Sequence, residues 1–165
     1  MSNAFRKVAA LVALIATGGL TISDASADGG GGGPPSAVAA VADTKPATRV
    51  AESRMNSCGG QFAAIRWCVA DALDAYADSL RDLALPAPLR GLPEIVARAA
   101  HRVRVARTSA EATKAIKTAI AEVHKEISLL KADDPSSLTA EIRAGSFVAE
   151  TLEVADNDLE RAIGL

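Results

Sequence analysis

Three sets of side chains in this sequence are of types that do chemistry. Cys58 and Cys68 are the only cysteines, His101 and His124 the only histidines, and Ser128 and Lys131 stand in Ser-x-x-Lys order. Redox couples use Cys-x-x-Cys, with one sulfur activated at a helix start and the other resolving it. Here nine residues intervene, and no basic residue directly precedes either sulfur. The spacing reads as a structural disulfide between Cys58 and Cys68. Metal-binding bundles use Glu-x-x-His, but the residues three before the histidines are Arg98 and Ala121. Both histidines therefore read as surface residues, and no metal or cofactor is expected. Ser-x-x-Lys acyl transfer needs further motifs on an α/β fold. Lys117-Thr118 is followed by Ala119 rather than glycine, and Leu130 falls on an apolar helix stripe. Ser146, in Ala144-Gly145-Ser146-Phe147-Val148, lacks the second glycine of a nucleophile elbow. No catalytic residue is assigned.

Charge and one aromatic supply the remaining candidates. Asp71, Asp74, Asp78 and Asp82 recur along one side of a helical stretch, and Arg98, His101 and Arg102 along another, with Arg104 and Arg107 nearby. Such rows form solvated ion pairs flanking helix seams, or a docking surface for a partner of opposite charge. Trp67, the only tryptophan, lies off the main apolar stripe. It is expected to pack on the disulfide and first helix, or to anchor a partner. Trp67, Asp71, Asp74, Asp78, Arg98 and Arg102 form the candidate interaction surface.

The elements that position these residues follow from composition and periodicity. Arg6 and Lys7, then the uncharged apolar run Val8–Leu20, then Ala25-Ser26-Ala27 form the three-part pattern of a secretory signal peptide cleaved after Ala27. Thirteen apolar residues of helix reach about 20 Å, short of the ~30 Å of a hydrocarbon core, so an anchor is not expected. No later run is long and apolar enough to span. Removing Arg6, Lys7 and Asp24 leaves 16 basic residues against 19 acidic ones. A mildly acidic balance argues against general nucleic-acid binding.

Residues 28–48 open with five glycines and two prolines and read as a flexible tether. A phosphate-binding loop would need a strand before it and a Lys-Ser/Thr helix start after it. From residue 49 the period is helical, with approximate helices over 49–57, 61–83, 93–107, 109–131 and 138–163. The stripes are Phe62, Ile65, Val69, Leu73, Tyr76, Leu80, Leu83; then Leu92, Val96, Ala99, Val103, Ala106; then Ile116, Ile120, Val123, Ile127, Leu130; and last Leu138, Ile142, Val148, Leu152, Ala155, Leu159, Ile163. Steps of three and four imply shallow bundle crossings. Leu85–Pro93 separates two helices, Thr108 with Glu111 forms a capping box, and Asp134 or Ser137 caps the last helix.

On one straight helix the two cysteines would lie about 15 Å apart and could not bond. Gly59-Gly60 breaks that helix and lets a short first helix fold back on the second. The expected fold is thus all-α: a small bundle of four main helices plus a short first helix, on an N-terminal tether. The expected function is that of an exported, non-enzymatic binding or structural protein of the cell envelope, periplasmic or extracellular, whose partner the residues do not name. The alternative is a small enzyme or ligand carrier with a site assembled from distant residues.

Overall fold

The computed structural model describes residues 37–130 and 135–162, with side chains from Thr44 onward. The expected signal peptide, the first part of the expected tether (residues 28–36), Asp134, the side chain of Ser137 and Ile163 lie outside the described residues. The rest is all-α: α1 (Ala37–Asn56), α2 (Phe62–Asp82), α3 (Leu92–Val105), α4 (Ser109–Ser128) and α5 (Pro135–Arg161), with one 3₁₀ turn at Ala87–Leu89. No described helix is long and apolar enough to cross a membrane.

The pairs that cross between successive helices show antiparallel neighbours. Cys58 meets Cys68 across α1–α2. Arg81 meets Glu94 and Arg104 meets Asp71 across α2–α3. Arg98 meets Glu122 across α3–α4, and Lys117 meets Glu160 across α4–α5. The ring then closes, because α1 also packs along α5. With an odd number of helices reversing at every turn, that closing pair must run parallel. The α5 backbone also comes close to α2, in keeping with the breadth of its buried face: Ala144, Val148, Ala149, Leu152, Ala155 and Leu159.

The first helix corrects the expectation of a short element on a long tether. It starts at Ala37, twelve residues before the expected start at 49, and runs through Pro46. A proline inside a helix forfeits one hydrogen bond and costs about 3 kcal/mol. Here Pro46 faces solvent, while Thr44, Thr48, Ala51 and Met55 are buried. Burial of that face against α2 and α5 offsets the break, and the alanines of residues 37–42 favour helix on their own. Thr48 Oγ1 and Tyr76 Oη are hydrogen-bonded at 2.9 Å inside the core. Burial lifts the Tyr76 phenol above its usual range, and its hydrogen bonding with the Thr48 and Thr151 hydroxyls opposes the lift. One polar node thereby ties α1, α2 and α5.

Two stripes run where the spacing put them. On α2, Ile65, Val69, Leu73, Tyr76 and Leu80 are buried, and on α3 Leu92, Val96, Ala99 and Val103. On α4 the buried face is turned toward alanine: Ala112, Ala115, Ile116, Ala119 and Val123 are buried, while Ile120 and Ile127 are half-buried. On α5, Ile142 is exposed and the stripe passes through Glu141, Ala144 and Gly145 instead. Gly145 is the reason. A Cβ there would lie 2.6 Å from Ile127 Cγ1, so α4 and α5 meet at a notch only glycine leaves open. The Pro-rich connection after α2 also contributes to the core, through Leu85 and Leu89.

The joint near Thr108 is a true break, so residues 93–131 form two helices. Ala106 and Thr108 are extended. Thr108 Oγ1 accepts from the Glu111 N–H at 3.2 Å, and the Glu111 carboxylate accepts from the Arg107 N–H at 2.7 Å. That is the reciprocal arrangement of a capping box, with the return bond one residue early.

Candidate functional site

The α1–α2 turn sets the geometry of the most distinctive surface. Asn56 ends α1, Gly60 takes φ +105°, and Phe62 starts α2. Only glycine adopts that φ without strain. The reversal lays the end of α1 beside the second turn of α2, so the Cys58 and Cys68 sulfurs sit at disulfide distance, 1.96 Å, with their Cα atoms 5.7 Å apart.

Trp67 precedes Cys68 and points outward, 48% exposed. Its ring is flanked by the guanidiniums of Arg66, at 5.6 Å from the ring centre, and Arg104, at 5.7 Å. Arg66 also lies 5.8 Å from the centre of the Phe62 ring and donates to the Ala106 carbonyl at the end of α3. Arg104 reaches back to α2, 2.7 Å from Asp71 and 2.5 Å from Asp74. Two helices, two guanidiniums and one ring form a fixed array. Cation–π contacts of this kind contribute about 0.5–1 kcal/mol each at exposed sites.

The sequence-derived surface divides in four. Trp67, Asp71 and Asp74 come together through Arg104. Asp78 lies farther along α2, paired at 2.6 Å with Arg81, which also holds Glu94. Arg98 is paired with Glu122 on the α3–α4 seam at 2.7 Å. Arg102 lines a depression of about 300 Å³ with Val105, Ala106, Glu111 and Lys114. Sequence reasoning missed Arg66 and treated Arg104 as a neighbour only. Position 66 is four after Phe62 and next to Trp67, a spacing that brings a cation over both rings on one helix.

A second concavity, of about 930 Å³, lies along α4 and α5 and is lined by Ala110, Thr113, Lys114, Lys117, Ala121 and Glu160, among others. Thr113 is buried, and its hydroxyl has no hydrogen-bond partner. Lys117 stands 2.9 Å from Glu160 and 3.6 Å from Asp156. Burial raises the Asp156 carboxyl above its usual range, and the Lys117 charge opposes this. No cluster of three or more metal-ligating side chains occurs among the described residues.

Comparison with known proteins returned no matching family model, no matching curated protein and no matching solved structure.

Proposed function

We propose that the chain is an exported, non-enzymatic binding protein of the cell envelope. The observation that carries the reading is Trp67: a half-exposed indole with two guanidiniums 5.6 and 5.7 Å from its ring centre, beside a cysteine pair at disulfide distance. Large amphipathic side chains that are exposed yet held rigid lose little freedom on binding, which is the property of an interface anchor. Export is supported by the order of charge, apolar run and small residues in 1–27, and by the paired cysteines, which suit an oxidising compartment.

A photo-crosslinking residue at position 67, in the native cell, tests the reading. It should give a discrete protein adduct, whereas the same residue at exposed His101 should not. Adducts at neither position speak against a binding role, and a chain that keeps Met1 speaks against export. The ligand-carrier alternative draws on the α4–α5 concavity with its unpartnered Thr113 hydroxyl. A small molecule that copurifies with the chain and is lost in Ala121→Arg would favour it.

A further inference from the structure

We propose that the surface around Trp67 docks an acidic peptide segment carrying at least one bulky apolar side chain. The inference rests on the binding role proposed above and names the chemistry of the partner. The surface is continuous. Arg66 touches the Trp67 ring on one side and the Ala106 carbonyl on the other. Ala106 is in turn a wall of the depression that holds Arg102, Val105 and Lys114. Trp67 and that depression therefore form one face across α2, α3 and α4. It offers two exposed apolar side chains, Trp67 at 48% and Val105 at 59%, one protruding and one beside a hollow.

The charge on this face is opposite to that of the whole chain. Its cations are Arg66, Arg102, Arg104 and Lys114, and its carboxylates are Asp71, Asp74 and Glu111. Four against three gives a local excess of one positive charge, on a chain whose net charge is −2. Among the described residues only Arg104 of the four is ion-paired. The Glu111 carboxylate is occupied by the Arg107 backbone N–H. Cations left without a carboxylate around an apolar anchor complement a segment that carries carboxylates around an apolar side chain.

The same features disfavour the other anionic macromolecules. Two apolar side chains bury too little to seat a helix bundle in a bilayer interface, which takes a whole apolar helix face. A nucleic-acid backbone needs an uninterrupted basic stripe, and here Asp71, Asp74 and Glu111 break the row. A peptide can place its acids selectively against the unpaired cations.

The test is fluorescence anisotropy of a short fluorescein-labelled peptide, Asp and Glu residues around one central Phe, titrated with the disulfide-intact chain. Saturable binding that weakens with added salt is expected. Arg102→Gln with Lys114→Gln should weaken it about tenfold, near threefold for each exposed charge. Trp67→Ala should weaken it about thirtyfold, as loss of an anchor. Arg90→Gln with Lys125→Gln removes the same charge elsewhere and should leave binding unchanged. The Arg102/Lys114 pair is exposed and unpaired, so its effect stands even if Trp67→Ala perturbs folding. Equal binding of the Asn/Gln version of the peptide, or equal loss in the control pair, overturns the proposal. Binding confined to phosphatidylglycerol vesicles or to oligo(dT) also overturns it. If position 67 crosslinks to a partner but the acidic peptide does not bind, the charge assignment fails and the binding role stands. If neither occurs, both fail.

Discussion

Gly145→Ala offers the sharpest test of how α4 and α5 meet. Two effects of opposite sign compete. In a helix interior, alanine is better than glycine by about 1 kcal/mol. Against this, the new Cβ would stand 2.6 Å from Ile127 Cγ1 and 2.8 Å from Cδ1, about 1 Å inside the 3.5–4.0 Å optimum for carbon pairs. Overpacking of this kind costs about 1–3 kcal/mol. Moving Cγ1 requires a χ1 change, which a β-branched side chain in a helix resists, although Ile127 is only half-buried and can yield somewhat. The net expectation is a loss of about 1–2 kcal/mol. The decisive step is a double-mutant cycle. Ile127→Ala removes both clashing carbons, so in that background Gly145→Ala should stabilise by about 1 kcal/mol. The sign should reverse, measured by urea denaturation followed by circular dichroism. Stabilisation of equal size in both backgrounds would refute the notch and leave Gly145 an ordinary helical glycine.

Ile116→Ala, at a fully buried position, should cost about 2–4 kcal/mol, and Ile120→Ala, half-buried, clearly less; Lys117→Ala should stay within about 0.5 kcal/mol, and equal losses at positions 116 and 120 in denaturation curves would contradict the rotated face of α4. Replacing Cys58 and Cys68 together by serine should cost roughly 3 kcal/mol in the chain-entropy model while most helical signal survives; two free thiols per unreduced, denatured chain would show that no bond existed. Tyr76→Phe leaves the buried Thr48 hydroxyl without its partner and should cost about 1–2 kcal/mol, whereas a neutral result would mean that Thr48 is satisfied elsewhere. Glu52→Gln tests the like-charge contact with Glu150. Burial first, and Glu150 second, raise the Glu52 carboxyl above its usual range. A folded-state pKa above the unfolded one means the folded chain holds the proton more tightly, so this group's charge destabilises the fold above that range and not below it. The variant should therefore gain stability at neutral pH, and the gain should fade as pH falls through the carboxylate range. A gain that persists in acid would assign the effect to something other than the charge.

Helix type and the strong stripes were legible because Leu, Ile and Val mark a buried face by themselves, as on α2 and α3. The errors occur where small or polar residues carry the packing. Ile142 and Ile120 looked like stripe positions, yet Glu141, Gly145 and Ala119 lie closer to the core. Alanine and glycine bury without advertising it, since they occur as often on exposed helix faces. The early start of α1 was hidden by Pro46, a local break that burial of Thr44, Thr48 and Ala51 outweighs. At the candidate surface, the residue types were visible but their grouping was not. Arg104 joins Trp67, Asp71 and Asp74 from a helix some 30 residues away, and only the antiparallel register of α2 and α3 brings it there.

Alanine is the commonest residue of this core, and that poses a problem of register. Alanine faces are smooth, so helices packed through them can slide by a turn at little cost, in contrast to faces of interlocking large side chains. Three features here are not smooth, and together they fix α1, α2, α4 and α5. The cysteine pair fixes the end of α1 against the second turn of α2. The Thr48–Tyr76 hydrogen bond, with Thr151 beside it, fixes α1, α2 and α5 at one level, because a slip would strand buried hydroxyls. Gly145 against Ile127 fixes α5 along α4. What remains is α3, held to α2 by Arg104 on Asp71 and Asp74 and by Arg81 on Glu94. Exposed ion pairs of that sort contribute little energy, yet they are specific in position. The same Arg104 that sets the register of α3 also clamps the Trp67 ring, so the geometry of the proposed docking face follows from the contacts that align the bundle.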